Sequence, residues 1–211
     1  MLAARRWLEL WQRLAAPRGA DGLLADEFSA LAQRYAEPHR HYHSAQHIKE
    51  CLAHLDTARV LCVHPDEVEL ALWFHDAVYD PRAKDNEAQS TAWAVRVMRA
   101  AGQSAGAIAR VQELIMKTCH DALPVTPDEQ VLVDIDLAIL GADSARFDEY
   151  ETQVRAEYAW VPAFLFRRTR RGILQAFLQR SAIYATAPFR ERFEAAARAN
   201  LARSLAALER N

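Results

Sequence analysis

At 211 residues with 51% hydrophobic content, the chain is long enough to bury a full core and lies within the size range of one domain. Its 26 Lys and Arg against 28 Asp and Glu leave a formal charge of −2, with both signs interspersed. No electrostatic footprint for nucleic acid or an anionic membrane stands out, so a small molecule is the expected partner. Three cysteines, Cys51, Cys62 and Cys119, are odd in number, far apart and in no CxxC arrangement, which suits free core thiols in a reducing cytoplasm.

The N-terminal stretch MLAARRWLELWQRLAAP has Glu9 and Gln12 where a secretory signal needs a continuous apolar run. Trp7, Leu10, Trp11 and Leu14 instead follow a helical stripe, predicting a helix that packs on the domain. A second helix is expected over 21–35. The polar loop EPHRHYH then leads to Ser44, a cap for a helix holding His47, Ile48, Leu52, Leu55 and Leu61. His64 and Pro65 break that helix and start the next, with Pro65 in the first turn. The segment 66–78 is apolar nearly all round, as in a central, enclosed helix, and carries His75 and Asp76 near its C-terminal end.

After the loop YDPRAKDNE, helices are expected up to about Ala101, ended by Gly102, and from Ser104 to Thr118. A loop with Pro124 and Pro127 leads to the short apolar helix VLVDIDLAIL, which stops at Gly141 as a left-handed cap. Helices over 144–159, 163–180 and 188–208 follow. No Val/Ile/Thr-rich alternation supports a strand and no run approaches the roughly 20 apolar residues of a membrane span, so a soluble protein is expected. The reading is an all-α, single-domain helical bundle over 1–211, with a motif-bearing core at about 35–141 and the helices of 144–208 packing on it.

Two ionisable groups side by side in an apolar helix cost several kcal/mol unless something compensates them. His47, His75, Asp76 and Asp136 together make a mixed nitrogen and oxygen set, suited to one octahedral divalent ion such as Mn, Fe, Co, Ni or Mg with water in the open positions. Asp134 competes with Asp136, being two residues away and so on another helix face. The neighbours of Asp136 at three and four residues are all apolar, whereas the face of Asp134 opens sooner toward polar residues. Asp134 therefore reads as a solvent-facing or capping carboxylate. No GxxxxGK, HExxH or GxSxG motif is present.

In order and kind, His47, His75, Asp76 and Asp136 resemble the signature of the HD-domain metal-dependent phosphohydrolases: a histidine, a later His-Asp doublet and a more distant aspartate. The wording RHYHSAQHI, LWFHDAVYDPRAKDNEAQS and DIDLAILG is similar to a bacterial subgroup of predicted HD-superfamily phosphohydrolases, over nearly the whole chain. The resemblance implies an HD-type helical fold, a bound divalent metal and hydrolysis of a phosphate ester, often in a nucleotide. It also favours Asp136 over Asp134 by its aspartate-leucine placement. Asp76 is then ligand and catalytic residue.

From their positions in loops flanking the motif helices, Arg40, Lys84 and Lys117 are candidate phosphate holders. His43, Tyr42 and His120 are candidate pocket residues, and Glu87 could orient water or protonate the leaving group. Asp80 and Asn86 share the ambiguity of Glu87 between chemistry and a helix start, and His39, His41, His54 and His64 read as surface residues. Two other functions stay open: an HD-fold oxygenase with two irons, for which histidines are few, and a non-catalytic metal or nucleotide binding module. Homo-oligomerisation is also left open.

Overall fold

The computed structural model describes residues 2–120 and 122–210, the side chains of Arg18 and Arg210 excepted. Among these residues the chain is all-helical and has no strand, as expected. The helices are α1 Ala4–Arg13, α2 Asp21–Arg34, α3 Ala45–Ala58, α4 Pro65–Phe74, α5 Asn86–Ala100, α6 Ala105–Lys117, α7 Pro127–Asp136, α8 Ser144–Glu157, α9 Ala163–Gln179 and α10 Ala187–Arg210. None of them is long and apolar enough to cross a membrane. None of the three cysteines is in a disulfide.

Contacts group the chain into two compact units, Met1–Val133 and Asp134–Asn211, where the sequence suggests one domain. The division falls inside α7, in a stretch with neither Pro nor Gly, so no linker signal marks it in the sequence.

The first unit is built on α4, which contacts α1, α3, α5 and α6. Its Val68 and the run from Leu70 to Phe74 are all fully buried, as its all-round apolar composition dictates. Trp7 meets Trp11 and Trp73 edge-on, each at 5.5 Å between ring centroids, which seats the amphipathic α1 on the core. The expected caps form: the Ser44 side chain accepts from the Gln46 amide at α3, and Ser104 accepts from the Ala107 amide at α6.

One boundary departs from expectation. Helix α4 ends at Phe74 and does not run to Val78. In a longer helix, Leu72 and Trp73 would offer their carbonyls to the amides of Asp76 and Ala77. Here the Leu72 carbonyl accepts from His75 Nδ1 at 3.0 Å and the Trp73 carbonyl from the Tyr35 hydroxyl at 2.9 Å, while the Ala77 amide turns to the Phe74 carbonyl. Side chains replace the helical ladder, and His75 and Asp76 stand on the resulting turn.

In the second unit, α8, α9 and α10 follow a short 3-10 turn, Leu137–Gly141. Gly141 is not a left-handed cap, since Gly102 is the one described glycine with positive φ. It is glycine because the backbone of α10 comes too close for a side chain: a Cβ there would lie 2.6 Å from Phe193 Cβ and 2.7 Å from its carbonyl oxygen. Asn200 donates to the Leu140 and Ala142 carbonyls, and Tyr184 to the Leu137 carbonyl, holding the turn against α10.

Candidate metal centre

The Ser44 cap fixes the start of α3, and His47, in its first turn, is buried. His75 closes α4 and is equally buried. The two imidazoles meet with His47 Nε2 3.1 Å from His75 Nε2. Asp76 Oδ2 lies 3.1 Å from His75 Nε2 and 3.5 Å from His47 Nε2. Because His75 Nδ1 faces a carbonyl, that nitrogen carries a proton, and Nε2 is the atom turned toward the other two groups.

Burial alone would raise the Asp76 carboxyl. The neighbouring His75, His43 and His47 outweigh it and hold the group well below the usual carboxylate range, so Asp76 is ionised. Two imidazole nitrogens and a carboxylate oxygen thus converge on one point. Ligands at about 2.1 Å from an ion are separated by roughly 3.0 Å at right angles and roughly 3.4 Å in a tetrahedron; two of the three distances here, both 3.1 Å, fall in that range and the third, 3.5 Å, lies just beyond it. The arrangement fits a cation.

The loop 35–44 secures this turn. The Arg40 guanidinium, whose side chain is 0% exposed, donates to the carbonyls of Asp76 at 2.5 Å, Ala77 at 3.0 Å and His43 at 3.2 Å, and its Nε to Glu37 at 3.0 Å. It lies over the rings of Tyr35 and Tyr79. His39 hydrogen-bonds the Tyr79 carbonyl at 2.9 Å. Arg40, expected to hold phosphate, is therefore committed to the protein's own backbone. Tyr35 and Tyr79 escaped notice in the sequence and His39 read as a surface residue, since Tyr35 and His39 bond backbone carbonyls nearly forty residues along the chain and the Tyr79 ring packs on this loop.

The other candidates are placed as follows. His43 adjoins the cluster, its ring stacked on Tyr79 at 4.2 Å and 6.2 Å from that of His47, and Tyr42 is buried at 4.8 Å from the His47 ring. Glu87 occupies the first turn of α5, half-buried. Asp80 and Asn86 bond each other reciprocally and close the YDPRAKDNE loop. Lys84 is exposed in that loop. Lys117 pairs with Glu129 at 3.6 Å, and His120 follows α6 with a left-handed backbone, φ 56°. His64 is no simple surface residue: its Nδ1 lies 3.0 Å from Asp128 Oδ2.

In the second unit, Asp134 is not solvent-facing but fully buried. Its oxygens accept from the Ala185 amide, the Thr186 amide and the Thr186 hydroxyl, each at 2.7 Å, at the entry to α10. The capping alternative holds for it. Asp136 is the more exposed of the pair, against the expected order. Sequence neighbours mislead here because the face of Asp134 is covered by a segment some fifty residues later. His47, His75 and Asp136 offer two imidazoles and a carboxylate, a donor set that could hold a metal ion. Comparison of the chain with family models, with curated proteins and with solved structures returned no match.

Proposed function

We propose that the chain is a metal-dependent phosphohydrolase of the HD type, acting on a small phosphate ester with nucleotides as the favoured class. The observation that carries this reading is the convergence of two imidazole nitrogens and a carboxylate oxygen, from His47, His75 and Asp76, at 3.1 to 3.5 Å. Asp136 is the proposed fourth ligand. The oxygens of Asp134 are already engaged by the Ala185 amide and by the amide and hydroxyl of Thr186.

A divalent ion at such a site polarises a phosphoryl oxygen and lowers the pKa of its bound water. The residues supply the rest. His75 keeps its Nε2 inward through the Leu72 carbonyl, and Asp76 remains anionic. His43 flanks the cluster where an ester would approach, and Glu87 is the candidate to orient water or protonate the leaving group. Lys84, Lys117 and His120 are the groups left to meet phosphate charge, Lys117 by exchanging Glu129 for it.

Metal analysis of chain purified without chelator should find about one divalent transition ion per chain, as one mixed nitrogen and oxygen site requires. The same protein, supplemented with Mn, Co, Ni or Mg, should release phosphate from at least one member of a nucleotide and phosphate-ester panel. A full metal complement with no turnover on the panel would favour a binding module. A ratio near two with iron dominant would favour the oxygenase.

A further inference from the structure

We infer that Arg40 is the positioning residue of the candidate centre: its guanidinium ties the loop that enters α3 to the turn that presents His75 and Asp76. This rests on the reading of the cluster as a metal site. Helix α4 has ended before the turn, so its own ladder does not hold Asp76 and Ala77. Their carbonyls are held by one guanidinium, with Nη1 shared between the His43 and Asp76 carbonyls and Nη2 on the Ala77 carbonyl.

His43 lies four residues before His47, so the same fork reaches the approach to one ligand and the backbone of Asp76 and of Ala77 beside it. The plane of the fork is set by Nε on Glu37 and by the rings of Tyr35 and Tyr79, at 5.2 and 5.6 Å. Tyr35 adds its hydroxyl on Trp73, and His39 its ring nitrogen on Tyr79. The loop thus meets four carbonyls of the segment 73–79 with three side chains.

The cluster tolerates little slack. A displacement of the turn by about 1 Å would take distances of 3.1 to 3.5 Å well away from the range that ligands of one ion can share. A phosphate bound by Arg40 would strip donors from buried carbonyls, which costs more than the new bonds return. An ammonium cannot reproduce the fork, so lysine should serve only partly.

The test uses the full chain as wild type, Arg40→Lys, Arg40→Gln and Tyr35→Phe, with helical circular dichroism to establish folding, Mn2+ titration for affinity and amide hydrogen exchange over residues 75–79. In wild type, Mn2+ should bind. Arg40→Gln should weaken its Kd tenfold or more and speed exchange in the turn, with Arg40→Lys between the two. Tyr35→Phe, which removes one carbonyl contact of the same loop and no charge, should weaken Kd severalfold and decides the matter if Arg40→Gln does not fold. Unchanged Mn2+ affinity in folded Arg40→Gln, or a raised KM for phosphate ester at unchanged affinity, overturns the inference and leaves the metal reading standing. Wild type that takes up no Mn2+ overturns both.

Discussion

Asp76 and Asp134 are both carboxylates withdrawn from water, and they are met by different kinds of partner. Around Asp134 stand two amides and a hydroxyl, all hydrogen donors at 2.7 Å, so the network closes on itself. Around Asp76 stand two imidazole nitrogens, atoms that can carry a proton or ligate a metal. A third case lies between them. Glu69, with a side chain 1% exposed, is met by Arg6, Arg13 and Arg59 at 2.6 to 2.7 Å and needs nothing from outside. Burial of an acid therefore does not mark a metal site. What sets Asp76 apart is that its neighbours are groups able to ligate a metal themselves.

The largest effect should follow from removing the donors at the open cluster. His75→Ala and Asp76→Ala are each expected to abolish metal binding and turnover, with helical circular dichroism largely kept, because α4 is held by its apolar residues. Wild-type turnover in either variant would sink the assignment. The contrast sharpens with the paired aspartates. Asp136→Asn should weaken metal affinity at least about tenfold, since even outer-shell changes at metal sites cost that much. Asp134→Asn should leave affinity alone.

Asp134→Ala should instead cost roughly 3 kcal/mol of stability, seen as a lower midpoint in urea, because it strands buried donors. If Asp134→Asn emptied the site while Asp136→Asn kept its metal, the ligand role would pass to Asp134 and the comparison would invert.

How far the sequence reaches follows from these same residues. The all-helical class was legible because the Trp7, Leu10, Trp11 stripe, the Ser44 and Ser104 caps and Pro65 act within one helical turn. The His47–His75–Asp76 cluster was legible from residue chemistry. Three features were not. The end of α4 is set by Tyr35 and Arg40, 36 to 38 residues earlier, the burial of Asp134 by Ala185 and Thr186, 51 and 52 residues later, and the need for Gly141 by the backbone of Phe193. Arg40 reads as a free basic group in a polar loop until the carbonyls it serves are in place. Local patterns report local forces, and each miss is a long-range hydrogen bond or close approach.

The smallest expected effect tests the third kind of carboxylate. Asp66 shares Arg13 and Arg59 with Glu69, at 2.7 Å from Arg13 and in close contact with Arg59. Partial burial pushes its carboxyl up, but the two guanidiniums outweigh this and hold it below the usual value near 3.8. A folded pKa below the unfolded one means that ionised Asp66 stabilises the fold above about pH 4, and that this contribution is lost as pH falls through the folded value. Asp66→Asn should then cost about 1 kcal/mol at neutral pH, the scale of a partly exposed pair, and progressively less below pH 4. Urea midpoints of the two proteins at pH 7 and pH 3 measure it. A penalty that stayed constant with pH would mean that Asp66 acts through shape or hydrogen bonding alone, and its charge would drop out of the comparison.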